Sequence, residues 1–242
     1  MVKNEEDILK YVLKHLLEED IDNIIVADNL STDSTKDILT DLSRQYRNIE
    51  VLDDAEPAYY QSEKMTNLAH YAARCGAEWI VPFDADEVWY STTGDTLGAT
   101  LRSMKEDVAV AKVYDHYPIQ VNTEELNPIK SIVHKEIVEE LFPCVAFKYD
   151  INIQIALGNH DVLKDGMRNY SDIEIRHFQY RSFEQFKRKL RNGKKALELS
   201  NLSEITGTHW RYLGGLNDED LLAEWQKLLQ VDVIIDPAPT RS

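Results

Sequence analysis

The amino-acid sequence predicts an α/β fold in which a mixed, mostly parallel sheet is flanked by helices. Over residues 1–83, runs with helical spacing alternate with short apolar runs, the order typical of parallel strands joined by crossover helices. Hydrophobic residues make up 43% of the 242-residue chain, so a sizeable core can form. Two apolar runs end in aspartates, at the edge of an open α/β sheet where ligands bind.

The elements of the first half follow from apolar spacing and from capping residues. Asn4, followed by three acids, is a potential cap for a helix through residue 17. A doubly wound sheet also needs a strand before this helix. Only three residues precede Asn4, so that strand is either very short or the sequence begins inside it. Further helices are predicted at 35–46 and 62–75, the second stopped by Gly76, and strands at 23–27, 48–52 and 79–83.

The second half is less regular. Strands are predicted at 108–113, 145–155 and 173–178 from their apolar and β-branched content. A basic helix is predicted at 183–199, an acidic amphipathic helix at 218–229, and a loose tail at 236–240.

Composition excludes several classes of function. Lys and Arg total 27 against 43 Asp and Glu, a formal net charge of −16, which argues against binding to nucleic acid or anionic membranes. Cys75 and Cys144 provide no disulfide framework. No apolar run is long enough for a transmembrane segment and no signal peptide is visible, so a cytoplasmic protein is expected.

Asp84 and Asp86 are the most informative residues of the chain. They follow the predicted strand at 79–83, where both carboxylates can reach one divalent cation, directly or through water. Mg²⁺ and Mn²⁺ prefer oxygen ligands and often share their coordination shell with substrate phosphates. The pair therefore favours metal-assisted handling of a nucleotide diphosphate, although a solvated acidic turn would carry the same two residues.

Three segments, taken in order, resemble the GT-A glycosyltransferases, and within them the family 2-like branch whose strand ends in Asp-Ala-Asp-Glu. These are residues 2–6, 26–33 and 83–87, and the second half fits through 158–160 and 176–182. The resemblance implies a GT-A fold and a metal-dependent transferase that uses Mn²⁺ or Mg²⁺. It implies a nucleotide-sugar donor and an unknown glycan, lipid or small-molecule acceptor.

Under this resemblance, residues 1–242 form a single domain. The nucleotide-binding half is 1–100, the half that holds the acceptor and completes the metal site is 101–215, and a C-terminal helix and tail occupy 216–242. Leu30 departs from the family pattern, because many members carry glycine there. Glycine permits a positive φ, which leucine is not expected to adopt.

The resemblance also assigns roles to individual residues. The residues implied beside the nucleotide are Asn4, Glu5, Asp28 and Asp33. Those implied at the metal are Asp84, Asp86, His177 and His160, with Asp86 the more direct aspartate ligand. Asp33 as a helix cap and His160 as a core or turn histidine are alternatives that need no ligand.

Two basic residues are further candidates for phosphate contacts. Lys64 begins the predicted helix at 62–75, and Arg181 belongs to the basic cluster of the second half, where arginine can pair with phosphate oxygens. The alternative for both is a solvated basic residue.

An inverting reaction would need a base to deprotonate the acceptor hydroxyl. The candidate carboxylates are Asp161, Glu87 and Glu136. Trp89 and Tyr90 follow the metal motif and are favoured for stacking on an acceptor sugar.

Other classes of protein fit the sequence less well. A nucleotidyltransferase of related fold would need a glycine-rich, basic loop after the first strand, whereas residues 3–7 are acidic and contain no glycine. A phosphatase of the DxDxT type would need threonine where Val88 stands. A non-catalytic sugar- or nucleotide-binding module stays open, although the intact Asp84 and Asp86 argue against a decayed site.

Overall fold

The computed structural model describes residues 1–170 and 172–237, and it confirms the α/β class. The chain divides into two compact units. The first comprises Met1–Ala55, Gln61–Tyr114 and Glu139–His177. The second comprises Glu56–Tyr60, Asp115–Val138 and the chain from Phe178 onward.

Four helices of the first unit are α1 (Leu9–Glu18), α2 (Thr35–Gln45), α3 (Gln61–Arg74) and α4 (Leu97–Ser103). The predictions for α2 and α3 are confirmed to within one residue at each end, and Gly76 after α3 has φ +96°, as its stopping role requires. The capping prediction for Asn4 is wrong, because α1 begins only at Leu9. The Asn4 side chain instead accepts a hydrogen bond from the Thr32 backbone.

Two strands of the first unit form the parallel pair that the sequence predicts. β1 (Ile24–Asp28) and β2 (Ile49–Asp53) pair in register from Ile24 opposite Ile49 to Asp28 opposite Asp53. Val2 forms a single parallel bridge to Asp28. The aspartates therefore end their strands at one edge of the pair.

The remaining strands correct the expectation of a mostly parallel sheet. In the first unit they are β3 (Trp79–Ile80), β4 (Glu87–Ser91), β5 (Val108–Tyr117), β7 (Cys144–Lys148), β8 (Arg168–Asn169) and β9 (Ile173–His177). The last three residues of β5 belong to the second unit. β3 pairs with β7, β7 with β5, and β4 with β9, all antiparallel, whereas β8 lies parallel to β5. Parallel neighbours need crossover connections, but β7, β8 and β9 follow one another through loops and one 3₁₀ turn.

Two predicted strands are also shorter than expected. β3 ends at Ile80, and the chain turns through Asp84 before the next strand begins at Glu87. β7 ends at Lys148, since the Asp150 side chain accepts a hydrogen bond from the Asn152 backbone and closes a turn. The predicted strands at 108–113 and 173–178 are confirmed.

The second unit contains α5 (Pro128–Ser131), β6 (His134–Glu136), α6 (Phe183–Glu198), α7 (Thr208–Leu213), α8 (Asp218–Leu228) and β10 (Val233–Ile235). The predictions for α6 and α8 are confirmed, and they pack through a core of Phe186, Leu190, Leu221 and Trp225. β6 pairs with β10 and with the end of β5. The predicted loose tail lies outside the described residues from position 238 onward.

No helix within the described ranges has the length and apolar character needed to cross a membrane.

Candidate active site

The loop after Val2 and the loop after β1 are held together by backbone and side-chain hydrogen bonds. Asn4 Oδ1 accepts from Thr32 N at 2.7 Å, and Asn4 N donates to Ser31 Oγ at 3.0 Å. Glu5 N donates to Thr35 Oγ1 at 2.8 Å. The structure therefore brings Asn4 and Glu5, two of the residues implied beside the nucleotide, against the loop that follows Asp28.

Both loops contain a residue in the left-handed region. Asn4 has φ 58° and Leu30 has φ 57°. The expectation that leucine would not adopt a positive φ here is wrong. The left-handed conformation of Leu30 costs about 1–3 kcal/mol of backbone strain. Leucine at this position, where many family members carry glycine, therefore keeps the backbone turn.

Asp28 ends β1 and is 4% exposed. Its Oδ2 accepts a hydrogen bond from Ser31 N at 3.4 Å. Its Oδ1 is buried and has no hydrogen-bond partner among the described residues. A buried acceptor without a donor is costly, so this atom is suited to an N–H or O–H group of a ligand.

Lys64 lies in an ion pair rather than in solvent. Its Nζ is 2.6 Å from Asp54 Oδ2, and the two side chains are only 14% and 17% exposed. Asn29 Nδ2 donates to the same Asp54 oxygen at 2.9 Å, and Asp54 N donates to Asp28 O at 2.9 Å. Asp54 thus joins Lys64 to the end of β1. Sequence reasoning gave no role to Asn29, although it lies in the resembling segment 26–33, and it missed Asp54, which lies in none of the resembling segments.

Asp33 accepts a hydrogen bond from Thr35 N at 2.9 Å through Oδ1, at the start of α2. Its Oδ2 accepts from Glu6 N at 3.4 Å. Ser34, not Asp33, is the N-cap of α2, so Asp33 closes a local turn before the helix, and its role beside the nucleotide stays a prediction.

The turn between β3 and β4 carries Asp84 and Asp86. Asp86 is 2% exposed, and its Oδ1 lies 3.8 Å from His177 Nε2. His177 ends β9 directly opposite Glu87 in the antiparallel register. This pairing brings a histidine from late in the sequence close to Asp86, and its role as a metal ligand stays a prediction.

Glu87 stabilises this turn by accepting hydrogen bonds through its buried carboxylate. Its Oε2 accepts from Asp84 N at 3.1 Å and from Trp89 Nε1 at 2.9 Å, and Cys144 Sγ lies 3.5 Å from Oε1. Burial, and then the nearby Asp84 charge, raise the pKa of Glu87 to about 7, while the charge of His177 lowers it. Burial likewise raises the pKa of the Cys144 thiol. Trp89 is fully buried, so the expectation that it stacks on a sugar is wrong.

The Gly158-Asn159-His160 loop contributes its asparagine to the site. Gly158 has φ 72° and Asn159 has φ 58°, and this left-handed pair directs Asn159 Nδ2 to Asp84 Oδ1 at 3.2 Å. His160 Nδ1 lies 3.1 Å from Pro143 O and 4.0 Å from Cys144 Sγ, and its ring is near that of Phe142; its role at a metal stays a prediction. Sequence reasoning named His160 and missed Asn159, although Gly-Asn is a common signal for left-handed turns.

The remaining candidates lie apart from these contacts or in the second unit. Asp161 forms an ion pair with Arg168 at 2.9 Å, and its side chain is 59% exposed. Arg181 is buried in the second unit and donates to Phe178 O at 2.8 Å. Glu136, in the same unit, accepts from Tyr117 Oη at 3.4 Å, and burial raises its pKa. Their roles stay predictions.

The ammonium group of Met1 is close enough to Asp54, Asp84 and Glu87 to interact electrostatically with all three. Burial lowers the pKa of its ammonium group, and the negative charges of Asp84, Asp54 and Glu87 offset part of that shift. Asp54, beside Lys64, and Asp84 and Glu87, of the turn between β3 and β4, therefore act electrostatically on the same nitrogen atom of Met1.

The side chains around Asp84 and Asp86 are of the types that divalent cations accept as ligands. The two carboxylates and the His177 imidazole are suitable ligands, and Asn159 Oδ1 is a buried oxygen with no hydrogen-bond partner among the described residues. Burial is the main cause of the raised pKa of Glu87, and the charge of Asp84 is the second; a bound cation would offset that second contribution.

The chain resembles known proteins at the level of family and, more distantly, of structure. The model of "Glycosyl transferase family 2" matches residues 1–150. A crystal structure of S. aureus TarS 1-349 in complex with UDP is 16% identical with a TM-score of 0.45, over 93% of this chain and 68% of that chain. A second S. aureus TarS structure shows the same identity and TM-score, with 41% of that chain covered. No curated protein sequence matches.

The family match includes both loops beside Asp28, the Lys64 ion pair and the metal motif, and it extends over more than half of the chain. The chain therefore belongs to glycosyl transferase family 2.

Proposed function

We propose that this glycosyltransferase moves a sugar from a nucleoside-diphosphate sugar to an acceptor hydroxyl and depends on Mn²⁺ or Mg²⁺. The observation that carries the proposal is the approach of His177 Nε2 to Asp86 Oδ1, 3.8 Å, beside a second aspartate held by Asn159. This arrangement supports one cation-binding centre built from three distant parts of the sequence.

The nucleoside would be bound by the β1 side of the site. Asp28 Oδ1 is buried and has no hydrogen-bond partner among the described residues, so it can accept from an N–H of the base or an O–H of the ribose. The backbone loops fixed by Asn4 and Glu5 form the wall next to it. Lys64, already oriented by Asp54, would place a positive charge near the phosphates.

Asp86, His177 and Asp84 would hold the cation. When bound, the cation neutralises charge on the diphosphate leaving group. Asn159 would orient Asp84 through its 3.2 Å hydrogen bond. Glu87 accepts hydrogen bonds from the Asp84 backbone and from Trp89, so we assign it to positioning the metal-binding turn. Asp161 remains the proposed base for the acceptor hydroxyl.

Calorimetry with a nucleoside diphosphate tests the proposal. Asp86→Asn removes the charge and keeps the size of the side chain. We expect Mn²⁺-dependent binding of UDP, GDP or TDP to weaken by roughly tenfold or more, with an unchanged circular dichroism spectrum. Asp41→Asn is the matched control, because Asp41 is 81% exposed on α2, and it should bind as the unmodified protein does.

Unchanged Mn²⁺-dependent affinity in a folded Asp86→Asn variant would contradict the metal assignment. If no nucleoside diphosphate binds even to the unmodified protein with Mn²⁺ present, the donor assignment itself is wrong.

A further inference from the structure

Phe142 is an exposed aromatic residue that packs on the Gly158-Asn159-His160 loop. It is 58% exposed, and its ring lies 5.4 Å from the His160 ring, with an angle of 35° between the two planes. Leu141, its neighbour in the chain, is 81% exposed. An exposed apolar patch of this kind often marks a binding surface, and we refer to Phe142 and His160 together as the aromatic platform.

The protein fixes the His160 ring on which Phe142 packs. A Cβ at Gly158 would lie 2.2 Å from His160 Nε2, so the imidazole lies across that glycine. His160 Nδ1 is 3.1 Å from Pro143 O, and Gly158 N donates to Gln61 Oε1 at 2.7 Å. The platform is therefore preorganised, and binding to the exposed side of Phe142 would require little further ordering of the protein.

The same loop connects the aromatic platform to the metal motif. Asn159, which directly precedes His160, donates to Asp84 Oδ1 at 3.2 Å. From this contact, the ring separation of 5.4 Å and the lengths of the residues between them, the Phe142 ring lies within about 20 Å of the Asp84 carboxylate. That interval can hold the sugar of a donor whose diphosphate is bound at Asp84.

The charge near the platform favours a carbohydrate over a lipid. Glu139 and Glu140 precede Phe142 in the chain, Asp161 follows His160 with a side chain that is 59% exposed, and the net charge of the chain is −16. A pyranose offers C–H groups that pack on an aromatic face and O–H groups that donate to carboxylates. An anionic headgroup would be repelled, and an acyl chain would desolvate the carboxylates without supplying donors.

We propose that the acceptor is a carbohydrate and that one of its pyranose rings stacks on the exposed face of Phe142, which His160 supports from the other face. This inference rests on the proposed glycosyltransferase function and adds the chemical class of the acceptor. It places the acceptor beside the loop that carries Asp161, the proposed base for its hydroxyl.

Saturation-transfer NMR with simple glycosides tests the proposal. The probes are methyl β-D-glucopyranoside, methyl β-D-galactopyranoside and methyl N-acetyl-β-D-glucosaminide, with UDP and the diamagnetic ion Mg²⁺ present. We expect saturation at the C–H protons of one face of a pyranose. Phe142→Ala and Phe142→Leu should raise the dissociation constant of that glycoside by about fivefold, and Phe142→Trp should preserve it. Tyr170→Ala is the matched control, because Tyr170 is 60% exposed, and it should bind as the unmodified protein does.

Octyl β-D-glucopyranoside separates a carbohydrate from a lipid, because it carries an alkyl chain on the same sugar. Saturation of its chain but not of its sugar would overturn the proposal in favour of a lipid acceptor. Unchanged glycoside binding by a folded Phe142→Ala variant would also overturn it, as would no saturation of any glycoside.

Calorimetry with UDP and Mg²⁺ on the same samples shows which of the two proposals fails. If UDP binds and no glycoside does, the acceptor assignment is wrong and the proposed function stands. If glycosides bind through Phe142 and no nucleoside diphosphate binds, the aromatic platform is supported as a sugar site, and the proposed transferase function is wrong.

Discussion

Two regions of the first unit, the proposed nucleotide side around Asp28 and Lys64 and the proposed metal side around Asp84 and His177, are built in different ways. The nucleotide side consists of parallel β1 and β2 and the loops that follow them, so most of its residues lie within the first 64 positions. The metal side joins Asp84, Asn159 and His177 through antiparallel strands and a left-handed loop. The difference teaches that one region of the unit is encoded locally in the sequence, whereas the other is assembled from distant segments.

The metal side should be more sensitive to backbone change. Gly158→Ala would place a Cβ 2.2 Å from His160 Nε2 at φ +72°, and we expect a loss of about 2 kcal/mol or more in the free energy of unfolding. Denaturant titration measures this. Gly76→Ala is the control, since its φ is also positive but no atom lies within 4 Å, and it should cost only about 1 kcal/mol. Equal effects would show that the Gly158 loop is not tightly packed.

On the nucleotide side, the largest effect should come from the buried ion pair. Asp54→Asn removes the negative charge 2.6 Å from the largely buried Lys64 Nζ, so we expect a loss of about 1–3 kcal/mol in stability and weaker nucleotide binding. Asp53→Asn is a matched control, because Asp53 pairs with Lys36 at an exposed site. A stable variant with unchanged nucleotide affinity would contradict the orienting role of Asp54.

Asn159→Ala should affect the metal side with a smaller loss of stability. The substitution removes the hydrogen bond to Asp84 without altering an ionic group, and we expect the Mn²⁺ concentration for half-maximal binding of a nucleoside diphosphate to rise roughly three- to tenfold. Isothermal titration at several Mn²⁺ concentrations measures the change. An unaltered Mn²⁺ requirement would show that Asn159 does not orient the metal-binding turn.

The smallest effect should be a gain on the nucleotide side. Leu30 is 46% exposed at φ 57°, so Leu30→Gly relieves strain while losing little apolar burial. We expect a net rise of about 0.5–1 kcal/mol in the free energy of unfolding. This is the strain relieved at residue 30 minus the conformational entropy that glycine adds to the unfolded chain. Thermal denaturation measures it, and a clear destabilisation would mean that the Leu30 side chain packs more than its exposure indicates.

The sequence predicted what short-range patterns encode. Helices α2, α3, α6 and α8 followed from apolar spacing and caps, and β1 and β2 followed from short apolar runs. The antiparallel pairing of the later strands was not predictable in this way, because a pair such as Glu87 opposite His177 joins segments 90 residues apart. For the same reason Asp54 and Asn159 escaped notice, since only the fold brings them to Lys64 and Asp84.

The central claim is that the two sides act on different parts of the donor, and one pair of Mn²⁺ activation curves tests it most directly. His177→Gln and Asp28→Asn are assayed for sugar transfer, or for donor hydrolysis, across a Mn²⁺ series. We expect His177→Gln to raise the Mn²⁺ concentration for half-maximal activity by roughly tenfold or more. Asp28→Asn should raise the KM for the nucleotide sugar and leave the Mn²⁺ requirement unchanged. The account is contradicted if His177→Gln leaves the Mn²⁺ requirement unaltered, or if both variants shift it equally.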